Sequence, residues 1–339
     1  MTLTYRPPRP SELAECALVW YAAVDEYMAR LNRPLPSPYL DPLITHQRHL
    51  LATDPERFLV AVRPATADGK VGATGGPAGG REEIVGFGIA AQREHVWFLS
   101  QLYVLPSEQS RGIGRALFTQ ILPSLPPETA EGAGETAPTP GDNADRGHGT
   151  LAMCTDSAQP ASNALYSRFG IVPRLPIFNL VGMPNPAALS RLPAGVVAVP
   201  FGRPDSADSA ESDAIDAIDR EVLGYAHPAD HAYLRANGRT GFVYRTDDDL
   251  VGYGYSSEAG RFGPVALLDD TLTAPVLGHL MTAIRPRGAT SVWVPGANDR
   301  AMVALLRAGL RIEGFPALLC WSRPFARFEC YLPASLALL

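Results

Sequence analysis

The residues best placed to do chemistry lie in Gln109-x-x-Gly112-x-Gly114, with Arg111 and Arg115 interleaved. They follow the apolar run Leu102-Tyr103-Val104-Leu105-Pro106 and precede the helical pattern that begins Ile113-Gly114-Arg115-Ala116-Leu117. A strand therefore ends, a turn crosses, and a helix starts on two glycines. Missing Cβ atoms let backbone N–H groups approach a ligand, and a helix N-terminus attracts anions. Gln109, Ser110, Arg111, Gly112, Ile113, Gly114 and Arg115 thus form a site suited to a pyrophosphate. A dinucleotide fingerprint would need a third glycine where Leu117 stands, and a nucleotide P-loop would need Gly-Lys-Ser/Thr. Beside the phosphate reading stands an ordinary strand-to-helix turn in which the glycines serve geometry alone.

Two histidine pairs invite a metal reading, His46-x-x-His49 and His227-x-x-x-His231. Neither has an evident third ligand close in sequence, so surface or capping histidines and no metal site are expected. Cys16, Cys154, Cys320 and Cys330 form no C-x-x-C pair and match no zinc spacing.

The elements that must position the glycine turn can be read from periodicity. Ser11 is placed to cap a helix whose apolar residues Leu13, Ala17, Trp20, Tyr21, Val24, Tyr27, Met28 and Leu31 fall at helical spacing. A second helix is expected near 46–52, and strands at 58–63, 83–92 and 96–105, the last two joined by a tight turn at Arg93 and Glu94. A helix from Gly112, a strand at 151–155, a helix at 161–169 and a strand at 175–182 complete a β-α-α-β-β-β-α-β-α-β order. The same order recurs later: Phe169-Gly170-Ile171 resembles Ala308-Gly309-Leu310, and Ile84-Val85-Gly86-Phe87-Gly88 resembles Leu250-Val251-Gly252-Tyr253-Gly254. Spacing between matching residues shrinks across 64–82 and 123–149 by about the lengths of those stretches. Both are poor in large apolar side chains and are expected to be mobile insertions in the first copy. Two domains follow, 1–185 and 194–339.

The chain has 339 residues, 46% hydrophobic and 19% charged, enough to bury a core in each half. A net charge of −6 argues against a nucleic-acid partner, and Lys70 is the sole lysine. No run is long and apolar enough for a bilayer, and the N-terminus lacks a signal layout. The expectation is a soluble, cytoplasmic protein with reduced thiols, without membrane or nucleic-acid partners. The sequence does not reveal its oligomeric state.

The glycine turn, preceded by the Leu-Tyr-Val strand, resembles the acyl-CoA signature of the GNAT N-acyltransferase superfamily. Asn163-Ala164-Leu165-Tyr166-Ser167-Arg168-Phe169-Gly170 resembles that superfamily's second CoA-contacting helix. The resemblance implies an α+β fold: tandem GNAT-like domains, each a mixed, mostly antiparallel sheet flanked by helices. It further implies that residues 109–115 hold the CoA pyrophosphate, and that the backbone at Leu102, Tyr103 and Val104 pairs with pantetheine. Val104 N–H would polarise the thioester carbonyl, Asn163 would contact the cofactor, and Tyr166 would be the general acid for the departing thiolate. An amphipathic helix places Tyr166 equally well as a core aromatic. Many relatives carry an acid on the strand entering the pantetheine site, where this chain has Ser100 and Gln101. Asp25 and Glu26 on the first helix are other carboxylates, and the general base stays unassigned.

The second copy carries Asp269-Asp270-Thr271-Leu272-Thr273-Ala274-Pro275 where the glycine turn should be, and Leu305 where Tyr166 recurs. Two carboxylates oppose a phosphate, so this half is expected to be a degenerate, non-catalytic GNAT-like domain. The resemblance implies N-acyl transfer, of acetyl or another short acyl group, from acyl-CoA as cosubstrate to a small-molecule or peptide amine. The alternative is an acyl-CoA-binding sensor or scaffold without turnover. Mycothiol synthase, also a GNAT pair, works through its C-terminal half, and the Asp269-Asp270 turn argues against it.

Overall fold

The computed structural model describes residues 3–33, 35–64, 82–123, 149–201, 209–247 and 249–339. The expected insertions at 64–82 and 123–149 lie almost wholly outside them. By contact density the chain divides into two units, Met1–Gln92 with Phe98–Glu131, and Arg93–Trp97 with Gly132–Leu339.

The first unit places β1 (Thr4–Arg6), β2 (Phe58–Pro64), β3 (Glu82–Arg93) and β4 (Val96–Val104) side by side in that order. Phe58 pairs with Ile89 and Thr4 with Val62, both antiparallel. Strand β2 sends Val60 and Val62 to one face, where α1 (Leu13–Arg30) and α2 (Asp41–Thr53) bring Leu13, Cys16, Val19 and Leu50. Ala61 faces the other way with Val85, against Ile113 and Leu117 of α3 (Ile113–Ile121). With helices on both faces, β3 is buried without alternation from 84 to 91, which is why it reads as one apolar run.

Gly86 and Gly252 stand at matching places in the repeat for the same reason. A Cβ on Gly86 would meet Tyr103 O at 3.0 Å, and one on Gly252 would meet Ala266 O at 2.7 Å. In each copy a side chain there would push away the neighbouring strand.

Helix α1 does not use Ser11 as its cap. Pro10–Glu12 form a 3-10 turn and the helix starts at Leu13. Glu12, rather than Ser11, organises this start by accepting Arg9 N at 2.6 Å and Arg6 Nη2 at 2.7 Å.

In the second unit, β5 (Thr150–Asp156), α4 (Pro160–Ser167) and β6 (Val172–Gly182) complete the first copy of the pattern. The second copy runs β7 (Val196–Phe201), α5 (Ser209–Val222), α6 (Pro228–Ala236), β8 (Thr240–Thr246), β9 (Asp249–Ser256), β10 (Val265–Leu267), α7 (Thr273–Ala283), β11 (Thr290–Pro295), α8 (Asp299–Arg307) and β12 (Arg311–Trp321), with a short β13 (Tyr331–Leu332) after it. Both copies therefore follow β-α-α-β-β-β-α-β-α-β, and the α+β class holds.

One sheet of this unit is ordered β13-β10-β9-β8-β7 and the other strands run β5-β12-β6-β11. Here the copies are interleaved. Strand β6, the last of the first copy, lies between β12 and β11 of the second, with Leu180 opposite Val292. Strand β12, the last of the second copy, lies between β5 and β6 of the first, with Leu319 opposite both Cys154 and Leu175. Leu180 packs in the core built by α7, α8 and β11. The contact boundary thus falls before β5, while the sequence repeat turns over after β6. Among the described residues no helix is long and apolar enough to cross a membrane.

Candidate functional site

The end of β4 is held to β3 as far as Leu105, whose N–H donates to Val85 O at 2.9 Å. Its side chains alternate. Tyr103 faces α1 and α2, its ring 5.8 Å from Phe87 and edge-on to Trp20, while Leu102 and Val104 face α3.

The chain then turns through two left-handed residues, Ser110 at φ 64° and Gly112 at φ 82°. Gly112 is the N-cap of α3, and Ala116 N is the first amide to bond back to it, at 3.0 Å. The amides of Ile113, Gly114 and Arg115 precede that bond, so helix geometry gives them no acceptor. A Cβ on Gly112 would meet nothing within 4 Å, and one on Gly114 only Val104 Cγ2 at 3.7 Å. Gln109 donates from Nε2 to Val104 O at 3.1 Å and braces the turn to the strand.

The two arginines differ in their surroundings. Glu108, 6% exposed, accepts from Arg63 Nη1 at 2.6 Å and Arg111 Nη1 at 2.9 Å, so Arg111 has a carboxylate of its own. Arg115 is exposed and, among the described residues, forms no ion pair.

Asn163 and Tyr166 lie in the other unit, on α4. Asn163 donates to Asp156 O at 3.3 Å and Gln159 O at 3.0 Å, tying the helix start to the end of β5, while its buried Oδ1 has no partner among the described residues. Tyr166 is 5% exposed.

At the strand position of Ser100 and Gln101, Gln101 joins a buried amide network. Gln101, buried on β4, accepts from Gln47 Nε2 at 3.0 Å and places its own Nε2 3.4 Å from His46 Nδ1. Sequence reading passed over His46 in this setting, because only the packing of α2 on β4 brings it there. Asp25 and Glu26 of α1 serve local structure: Asp25 accepts Leu35 N at 3.1 Å and Glu26 pairs with Arg30.

The matching turn of the second copy is filled by its own side chains. Asp269 accepts Thr271 N at 2.8 Å, and Asp270 pairs with Arg300 at 2.8 Å. Hydrogen bonds from Thr271 hold the Asp269 carboxyl below the ordinary value for an aspartate, so it is ionised at neutral pH. Leu305, at the place of Tyr166, is 1% exposed.

One expectation about histidines needs correction. His227 and His231 are not on the surface, being 1% and 3% exposed, and Asp219 of α5 lies with them. This carboxylate is eight residues upstream on a different helix, so local spacing could not reveal it.

Residues 24–132 match the model of the acetyltransferase (GNAT) family. A search of curated proteins finds no match. Among solved structures, a candidate acetyltransferase from Pyrococcus horikoshii is similar with a TM-score of 0.68 at 15% identity, covering 99% of this chain and 96% of its own. A GCN5-related N-acetyltransferase from Sphaerobacter thermophilus reaches 0.55 at 16% identity, covering 95% and 96%. A tandem GNAT protein from the clavulanic acid biosynthesis pathway reaches 0.51 at 16% identity, covering 94% and 98%. Residues 24–132 are accordingly similar to the acetyltransferase (GNAT) family, and the chain as a whole shares the fold of solved proteins that include a tandem GNAT protein.

Proposed function

We propose that the chain is an acyl-CoA-dependent N-acyltransferase, moving acetyl or another short acyl group to an amine on a small molecule or peptide. The observation that carries this reading is the turn after β4. It combines two left-handed residues, open space over Gly112 and an exposed Arg115 that forms no ion pair among the described residues, at the start of α3. These residues suit a pyrophosphate, since helix geometry leaves the amides of the first turn without an acceptor in the helix and a Cβ on Gly112 would meet nothing within 4 Å.

Bound acyl-CoA supplies an activated thioester. In this reading the 109–115 turn anchors the pyrophosphate, and the backbone at Leu102, Tyr103 and Val104 guides the pantetheine arm. The Val104 amide donates toward the acyl oxygen as negative charge develops there. Asn163 Oδ1 offers an acceptor to the cofactor. Tyr166 Oη gives a proton to the departing sulfur, and its burial shields that proton from bulk water. The amine must arrive neutral to attack. The second copy, with Asp269 and Asp270 in its turn and Leu305 on α8, contributes no cofactor site.

A second reading, an acyl-CoA sensor without turnover, draws on the Gln101 network, which puts an amide where many relatives hold a carboxylate. Titration calorimetry with acetyl-CoA, followed by thiol release against a panel of amines, separates the two. One site per chain with thiol release supports the transferase. Binding without release of thiol supports the sensor. Two equivalent sites would overturn the silent second copy, and no binding would overturn both readings.

A further inference from the structure

A second cluster, between α5 and α6, shares no residue with the site proposed for acyl transfer. Asp219 sits near the end of α5, His227 just before α6, and His231 one helical turn later on the same face. His231 Nε2 lies 2.9 Å and His227 Nε2 3.3 Å from the same oxygen, Asp219 Oδ2, and all three ligand atoms fall within 4.8 Å of one another. In a tetrahedral site with bonds of about 2.0–2.1 Å, ligand atoms stand about 3.3 Å apart. The spacing here is close to that of a preformed triad.

Two of the ligands are also held from behind. His231 Nδ1 is 2.9 Å from Tyr255 Oη, and Asp219 Oδ1 accepts from Tyr253 Oη at 2.5 Å. His227 Nδ1 faces Asp230 Oδ2 at 3.9 Å, and Asp230 is itself gripped by Arg93 through bonds of 2.7 and 2.8 Å. Outer partners of this kind fix ring orientation at metal centres. One member of the triad is unsatisfied: both nitrogens of His227 are buried without an aligned hydrogen bond. An imidazole left so in the interior is costly unless something else engages it.

We propose that Asp219, His227 and His231 form a binding site for a divalent transition-metal ion of the zinc class, tying α5 to α6. Two imidazoles and one carboxylate suit such an ion, whereas calcium and magnesium require more oxygen ligands. The bound ion takes the two Nε2 lone pairs and one carboxylate oxygen, leaving a fourth position to water. The competing arrangement is a buried ion pair in which a proton, rather than a metal, holds His227 on Asp219. Burial, the largest single influence, disfavours that imidazolium, and the charge and hydrogen bond of Asp219 together with the charge of Asp230 outweigh it.

The full chain, stripped with a chelator and dialysed, is titrated with zinc sulfate by calorimetry and with cobalt(II) by visible absorption. The expected result is one zinc per chain, a higher melting temperature, and the intense visible band of low-coordinate cobalt. Asp219→Asn and His227→Gln, each checked by circular dichroism, should weaken zinc binding about 100-fold or more. Absence of a zinc isotherm in the folded wild-type chain would overturn the proposal, and a proton would then hold the triad. Zinc bound with unchanged affinity in the folded variants would overturn it equally, by assigning the ion to other side chains. If both variants fail to fold, zinc content after gel filtration decides: near one equivalent with the cobalt band supports the site, and well below one overturns it.

Discussion

The turns after β4 and after β10 occupy the same place in two copies of one pattern, and they have become chemical opposites. In the first, Gly112 takes φ 82° with nothing within 4 Å of a Cβ placed on it, and helix geometry leaves the amides of Ile113, Gly114 and Arg115 without an acceptor within α3. In the second, Asp269 takes up the amide of Thr271 and Asp270 takes up Arg300. The backbone framework around them survives in both, down to the glycines at 86 and 252 that let the next strand approach. The difference separates the part of the repeat that packing holds in both copies from the part that packing leaves free to vary. Close packing constrains the strands at Gly86 and Gly252, while nothing packs against Gly112 in the turn.

The comparison is broken most severely by carrying the second turn's chemistry into the first. Gly112→Asp adds a carboxylate and forces a side chain into left-handed backbone at once. Acetyl-CoA affinity measured by calorimetry should fall about 100-fold or more while the far-UV spectrum is retained. Unchanged affinity would remove the turn from cofactor binding.

Tyr166→Phe gives the first copy an apolar side chain where the second has Leu305. General acids contribute about 10²–10⁴-fold, and a thiol with a pKa near 8.5 departs tolerably unaided, so kcat should drop about 100-fold with acetyl-CoA affinity intact. An unaltered kcat would leave Tyr166 a core aromatic.

The two arginines sharpen the comparison within one turn. Arg115→Ala should weaken acetyl-CoA binding about tenfold, the worth of one charge-assisted contact. Arg111→Ala should change it about twofold, because Glu108 already holds that guanidinium. Equal losses would show that Glu108 releases Arg111 to the ligand.

The smallest effect is expected at Asp269→Ala. Loss of a turn cap costs about 0.5–1 kcal/mol of stability, read as a slight fall in melting temperature, and CoA stoichiometry should remain one per chain. Gain of a second site would mean that the carboxylate alone silences the second copy.

How far the molecule could be read from its sequence depends on distance along the chain. The glycine turn, the element order and the Gly86/Gly252 match are local patterns, and each is written within about ten residues. Ser11 failed as a cap because Glu12 had a better set of partners in Arg6 and the Arg9 amide. The pairing of Arg111 with Glu108 is also local, yet only the burial of Glu108 gives it weight. His46 beside Gln101, and Asp219 beside His227 and His231, depend on helices packing onto strands or one another. Such proximity leaves no periodic trace. The interleaving of β6 with β12 was equally hidden, since each strand has the composition it would have had within its own copy.

That interleaving has a consequence for synthesis and for inheritance. Strand β12 lies between two strands of the first copy, so that copy cannot finish its sheet until residues 311–321 have been made. A chain stopped after β6 would present β5 and β6 with the strand between them missing and their edges open. With its last strand placed in this way, the second copy can differ from the first in the turn after β10 and still be required. Deleting it would remove a strand from its twin.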